Sequence, residues 1–469
     1  MRNFTRISLV TACLLFGVLT GCVEASHFND GSLSQLLNGA NCSGISTVST
    51  ANYCAYAGQL RRANLFGAGT SSDPYEICSP YQLNSLATDA SYMNAYFKQT
   101  ADLDMSCIAS NHVPVGSSSV PFTGTYDGNS KTIRNWKYVS SASDDVGVFA
   151  YVRAANIHDL TIESATVTGK DYVGIAFGRA EASHLLQIAT AGTVTGVNYV
   201  GGVAGRAELG AVNQSRSSAK VVGTSDVGGV VGNGDTPIVI SSYFTGSVTA
   251  SGTRAGGVIG NANYGYVINS YSTGAVTSTA AQVGGVVGVT SGLVRNAYST
   301  GAISGTTSVG GLVGSLASGG SITNSFAVSA VTGSGGSSTS VGVLAGTYGG
   351  SITNSYYWSG AACDADGATG GTQACNTIST GSQAAASSFY STTTQPLAVW
   401  DFQNETAVGL IDEWASASLD YPTAWYVSPS NTGIPFFDGN GTTSDPYLVS
   451  SVATYNLISS NPRWMSKSF

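Results

Sequence analysis

Gly256-Gly-Val-Ile-Gly260, then Tyr266-Val-Ile-Asn-Ser-Tyr271, then Gly274-Ala-Val-Thr277 form one unit of a pattern that decides the fold. Three short β-prone runs are separated by Gly, Asn, Ser and Thr, residues that favour turns, and none of the runs is long enough for a helix. The opening phrase recurs as Val146-Gly-Val-Phe149, Val173-Gly-Ile-Ala176, Val200-Gly-Gly-Val203, Val227-Gly-Gly-Val230, Ala255-Gly-Gly-Val258, Val283-Gly-Gly-Val286, Val309-Gly-Gly-Leu312 and Val341-Gly-Val-Leu344. Successive starts lie 27, 27, 27, 28, 28, 26 and 32 residues apart. A fixed period of this size marks an array in which each unit buries its apolar residues against its neighbours. Three strands of about five residues at about 3.3 Å each, with three bends, account for one coil. The expectation is an all-β chain, a right-handed parallel β-helix (β-solenoid) of about 27–28 residues per coil with an N-terminal cap.

Stacking demands that like residues recur at like places, because equivalent side chains of successive coils lie about 4.8 Å apart. In the second run an aliphatic, an Asn or Ser and an aromatic recur as Val239-Ser241-Tyr243, Val267-Asn269-Tyr271, Val294-Asn296-Tyr298, Ile322-Asn324-Phe326 and Ile352-Asn354-Tyr356. Period two places each trio on one face of a strand, where amides hydrogen-bond along the axis and rings stack. The third run supplies a core row, Val167, Val194, Val248, Val276, Ile303 and Val331. In the first run two aliphatics are adjacent, so period two sends one of each pair outward unless a bend turns both inward. The expected result is an apolar binding stripe of Val231, Ile259, Val287 and Val313 that takes a partner or another copy of the chain.

The phrase Val-Gly-Gly-Val/Leu followed by Ile/Val-x-Asn-Ser-Tyr resembles the GLUG motif, a repeat of bacterial surface and secreted proteins. The resemblance covers about half of the chain and implies a β-solenoid in an adhesin-like setting, without naming a ligand. Some GLUG proteins carry the repeat beside a zinc peptidase. Here the histidines are His27, His112, His158 and His184, none in a His-Glu-x-x-His arrangement.

Residues 1–21 read as an export signal: Arg2 and Arg6 precede an apolar run, Ile7 to Thr20, too short to span a bilayer. Leu19-Thr20-Gly21-Cys22 resembles a lipoprotein lipobox, which implies cleavage before Cys22 and its acylation. By the same analogy Val23, in place of a retention Asp, implies the outer membrane, with the chain facing the periplasm or the exterior. Beyond the signal Cys13 and Cys22, the cysteines number six: Cys42, Cys54, Cys78, Cys107, Cys363 and Cys375. An even number in an exported chain predicts disulfides, and sequence neighbours are the expected pairs: 42 with 54, 78 with 107, 363 with 375.

Charged residues make up 9% of the chain, far below the ordinary quarter, and loss of Arg2 and Arg6 leaves 16 basic against 26 acidic residues, a net −10. Nucleic acid is excluded as a partner on this ground. The charges that exist gather in the first coils as Asp144, Asp145, Asp159, Glu163, Lys170, Asp171, Arg179, Glu181, His184, Arg206 and Glu208. A polysaccharide lyase or hydrolase needs such groups converging at one level of the solenoid. Otherwise they serve solubility. A third reading, ice binding, rests on Thr168, Thr195, Thr249, Thr277 and Thr332, one per coil, which any exposed β face also tends to hold.

The expected divisions are a lipoprotein signal (1–21), a lipidated tether (22–62) stapled by Cys42 and Cys54, a cap with the first coils (63–138) and the repeat array (139–358). After these come a Ser/Thr/Gly-rich loop (359–399), an aromatic closing segment (400–438) and an incomplete second copy of the cap (439–469). The last rests on Gly439-Asn-Gly-Thr-Thr-Ser-Asp-Pro-Tyr447 matching Gly67-Ala-Gly-Thr-Ser-Ser-Asp-Pro-Tyr75, and reads either as a loosely docked remnant or as an end cap. Asp364-Ala-Asp-Gly367 begins like a calcium loop but lacks the third oxygen ligand and the closing Glu. The expectation is therefore a surface lipoprotein presenting a solenoid to a protein or glycan, without a cofactor, metal or catalytic residue. Its membrane partner is reached through acylated Cys22.

Overall fold

The computed structural model describes residues 65–353 apart from 110, 280, 328 and 336–339, with residues 42, 54 and 57 and the strands 355–358, 375–378, 414–415 and 423–424. The chain forms a parallel β-solenoid of about nine turns. One coil is four-sided: β1 (Asp171–Gly174), β2 (Phe177–Glu181), β3 (His184–Leu186) and β4 (Ala189–Thr195). Each strand pairs in parallel with its counterpart one coil on: Val173 with Val200, Phe177 with Ala204, Leu185 with Val212 and Val194 with Val221.

The corners explain why three runs make four sides. Non-glycine residues hold left-handed φ at equivalent places in coil after coil. Ala182, Leu209, Thr236 and Tyr264 (φ 48–55°) stand at the corner between β2 and β3, and Gln187, Gln214, Ser241, Asn269, Asn296 and Asn324 (φ 46–56°) at the corner between β3 and β4. That region costs an ordinary residue about 1–2 kcal/mol and Asn less, which accounts for the recurrent Asn. It also corrects the expectation that Val, Asn and Tyr share one strand face. Val267 points into the core, Asn269 turns the corner, and the alternation restarts so that Tyr271 stands on the outer side of the next strand. The axial amide bonds do form: Asn296 Nδ2 donates to Asn269 Oδ1 at 3.0 Å, and Gln187 Nε2 to Gln214 Oε1 at 3.2 Å.

The serine after the corner also has a task. Ser242 Oγ donates to the Ile240 carbonyl (2.7 Å) and accepts from the Ser215 N–H of the coil before (3.1 Å). Ser270 and Ser325 repeat this arrangement, accepting from Ser242 N–H and Ala297 N–H. Corner N–H groups outside the ladders are thereby satisfied in the buried interior.

The expected apolar stripe does not exist. Val231, Ile259, Val287 and Val313 are fully buried, and so are Val230, Val258, Val286 and Leu312. The chain bends at Gly229-Val230 and its counterparts, between two sides of the coil, so neighbouring side chains both turn inward. The glycines make this bend possible through space. A Cβ on Gly256 would lie 2.1 Å from the Ile259 carbonyl oxygen, and one on Gly257 would lie 2.1 Å from that of Gly285. The core row is as expected from Val167 to Ile303, with Val331 partly buried.

At the N-terminal end the β3 sheet begins in the cap: Tyr75 pairs with Phe97, Phe97 with Tyr126 and Tyr126 with Ile157. Between the first two of these rungs lies helix α1 (Pro80–Leu86), with Pro80 in its first turn and Ser79 and Gln82 forming a capping box. Buried Leu83 and Leu86 join Ile77 and Phe97 in the core. The two disulfides among the described residues differ from the expected pairs. Cys42 bonds Cys78 and Cys54 bonds Cys107, so the preceding segment is stapled to the cap and not to itself. Sequence proximity failed because Cys78 lies buried beside Cys42, Ala57 and Ala101, a cluster built by the fold. Beyond Trp358 the ladder adds a rung, Cys375–Ile378 on Ser355–Trp358, within what the sequence suggested was loop. A short antiparallel pair, Trp414–Ala415 with Thr423–Ala424, lies in the expected closing segment. The signal, Cys22, the Cys363 partner, Asp364–Gly367 and the second cap copy lie outside the described residues.

Buried His112 carries a pH dependence. Its Nδ1 accepts from Lys137 N–H (2.8 Å), so its Nε2 carries the proton donated to the Met105 carbonyl (2.9 Å). Burial pushes its imidazole below the usual histidine range. Folding therefore favours neutral His112: its stabilisation is complete above the unfolded pKa of about 6.5 and is lost as pH falls toward the depressed folded value. The melting temperature is expected to fall between neutral pH and pH of about 5, and to fall less in His112→Asn, as measured by thermal circular dichroism.

Candidate ligand-binding face

The outer side of the β4 sheet carries one continuous row. Register links Thr132 to Thr161, Thr161 to Ala189, Ala189 to Arg216, Arg216 to Tyr243, and then Tyr271, Tyr298 and Phe326. The inward alternates, Ile162, Thr190, Ser217 and Phe244, are buried. The four aromatic rings stack with centroids 4.8, 4.7 and 5.0 Å apart and planes within 4° of parallel. The coil repeat itself sets this spacing. Burial and the neighbouring Tyr243 phenol hold the Tyr271 phenol above the usual tyrosine range, while Arg216 acts in the opposite sense. The row is buried at Tyr298 and Phe326 and half-exposed at Tyr243.

Where the row narrows to the methyl group of Ala189, the surface opens into a cavity of about 280 Å³. Thr161, Glu163, Ala189, Arg216, Tyr243 and Thr245 line it. A β-bulge shapes one wall. Ile162 pairs with Thr190 and then Ala165 with Gly192, so Glu163 and Ser164 oppose a single residue, and Ser164 takes φ 54°. Bulges re-aim side chains in this way. Glu163 Oε2 accepts from Arg134 Nε (3.3 Å), and Arg134 Nη1 in turn reaches Asp102 Oδ2 (3.3 Å). Among the described lining residues Glu163 is the single carboxylate, so the cavity lacks the carboxylate pair that glycoside hydrolysis uses.

Most of the other charges of the first coils are engaged with one another. Arg179 Nη2 bonds Asp145 Oδ2 (2.6 Å), with its guanidinium over the rings of Tyr151 (4.6 Å) and Tyr172 (4.8 Å). Arg153 pairs with Glu181 (3.0 Å), Arg206 with Glu208 (3.4 Å) and Lys170 with Asp171 (3.5 Å), while Asp144 accepts the Asp171 N–H. Asp127, His158 and Asp159 lie together, with His158 Nδ1 2.9 Å from Asp159 Oδ2 and Lys98 Nζ 3.6 Å from Asp127 Oδ2. The Lys98 ammonium thus faces one carboxylate, and the His158 imidazole hydrogen-bonds the other. Farther along the β4 side the threonines do align, Thr168 with Thr195 and Thr249 with Thr277, but Val222 stands between Thr195 and Thr249.

No family model matches the chain. Over 137 residues it is 38% identical to halomucin from Haloquadratum walsbyi, a match that takes in 27% of this chain and 2% of halomucin. The chain thus spans about 2% of that relative's length. Among solved structures it resembles a candidate immunoglobulin A1 protease from Bacteroides ovatus at 17% identity and a TM-score of 0.40, covering 77% of this chain and 95% of that one. It also resembles an IgA1 protease at 15% identity and a TM-score of 0.36, covering 60% and 21%. Likenesses this remote carry no argument about chemistry.

Sequence reasoning picked out the Tyr row but missed Ala189 and Arg216. The signal was present in the period. Counting 27 residues toward the N-terminus from Tyr243 reaches Arg216, and 27 more reaches Ala189, the places where the repeat departs from its aromatic rule.

Proposed function

We propose that this chain is a lipid-anchored surface solenoid, built of GLUG-type repeats, that holds a ligand on its outer face without transforming it. The observation that carries this reading is the β4 row, which combines a stacked aromatic column with a polar cavity at its open end. Supporting it, most of the charged groups of the first coils outside the cavity engage one another in ion pairs. The lipobox-like Leu19-Thr20-Gly21-Cys22 supports the anchor. A lipobox cysteine carries several acyl chains, and more than one is needed for stable attachment. Cys22→Ser is expected to move the protein from the membrane to the soluble fraction, and unchanged fractionation rules out the anchor. Against catalysis, the full chain is incubated with a panel of neutral and acidic polysaccharides. The expected result is saturable retention with no new reducing or unsaturated ends. Steady production of such ends, lost in Glu163→Gln, overturns the binding-only reading.

A further inference from the structure

We infer that the cavity over Ala189 is a slot for a single neutral pyranose ring, layered onto Arg216 as one more member of the side-chain column. The inference deepens the proposal that the outer face holds a ligand, and rests on it.

The column supplies the shape. Successive rungs lie about 4.8 Å apart, and Thr161 and Arg216 are two rungs apart with only the Ala189 methyl group between them. One rung of side chain is therefore missing, and the opening of about 280 Å³ stands in its place. That volume lies at the small end for ligand sites and suits one ring.

The lining decides which ring. Thr161 and Thr245 offer hydroxyls, Glu163 beside the bulge a carboxylate that also accepts from Arg134, and Arg216 a planar fork of donors. A flat aromatic guest would take this polar lining out of water without offering it hydrogen bonds, an uncompensated desolvation. A pyranose presents vicinal hydroxyls to the same groups while its C–H face lies against the flat guanidinium. Charge selects the neutral sugar. Among the described residues of the site, Asp102 and Glu163 stand against Arg134 and Arg216, which leaves no surplus cation for a uronate or sulfated ring.

The test uses the full-length protein and saturation-transfer NMR with titration calorimetry. The probes are the methyl glycosides of glucose, galactose, mannose and N-acetylglucosamine, with glucuronate and phenol as comparison arms. At least one neutral glycoside is expected to bind saturably at millimolar concentration. Ala189→Tyr restores the missing rung, so it should keep the circular dichroism spectrum and abolish binding. Glu163→Gln and Arg216→Gln should each weaken binding tenfold or more, and they remain informative if Ala189→Tyr fails to fold. Absence of saturable binding by all four glycosides overturns the inference, as does tighter binding of glucuronate or phenol. Undiminished binding by Ala189→Tyr, or by both glutamine variants, overturns it too. If polysaccharide is retained while the slot variants bind as wild type, the slot fails and the scaffold reading stands. Cleavage of the polysaccharide strikes the scaffold reading instead.

Discussion

Ile259→Lys is expected to unfold the middle of the solenoid. Ile259 is fully buried between Val231 and Val287, its partners one coil to either side, and a lysine there has no acidic neighbour and no route to water. Burying an unpaired ammonium costs several kcal/mol, comparable with the total stability of many domains. Val258→Lys should behave alike, because both members of the pair face inward. Tyr264→Lys, at a corner residue 64% exposed, is the control and should leave the melting temperature almost unchanged. Thermal circular dichroism of the three variants decides the matter. A folded, cooperatively melting Ile259→Lys would restore the outward stripe that the burial pattern denies. In a stacked array each coil supports its neighbours, so damage at this level should also loosen the coils on either side.

Gly257→Ala is expected to be nearly as damaging, although it adds one methyl group. The new Cβ would stand 2.1 Å from the Gly285 carbonyl oxygen and 2.3 Å from Ser272 Oγ, closer than any real contact, and the backbones of two coils would have to separate. Overpacking of a tight core costs about 1–3 kcal/mol, and a clash with backbone belongs at or above the upper end. Gly319→Ala makes the contrast. Gly319 has φ +86° and nothing within 4 Å of its added Cβ, so only the left-handed penalty of about 1–2 kcal/mol applies. Urea midpoints should rank wild type above Gly319→Ala and Gly319→Ala above Gly257→Ala. The reverse order would mean that conformation, and not space, keeps glycine in the repeat.

The period and the identity of the repeated residues are local properties. Through them the sequence alone determined parallel stacking, about 27–28 residues per coil, the Val167 to Ile303 core row and the stacked aromatics. These survive because a ladder with a 4.8 Å repeat forces like residues together whatever the shape of the coil. The helix at Pro80–Leu86 also rests on local chemistry, since the Ser79–Gln82 capping box and Pro80 lie within a few residues of one another. Facing directions and long-range pairs were decided only by the tertiary structure. Period-two alternation holds within a strand and is reset at each bend and each left-handed corner, so Val231 and Ile259 turned inward and Tyr271 outward against the simple count. Cys78 found Cys42, and Cys107 found Cys54, because the cap folds its surface against the preceding segment. The slot over Ala189 is a gap in a row, visible only when Thr161, Ala189 and Arg216, far apart in the chain, are set one above another by the coil.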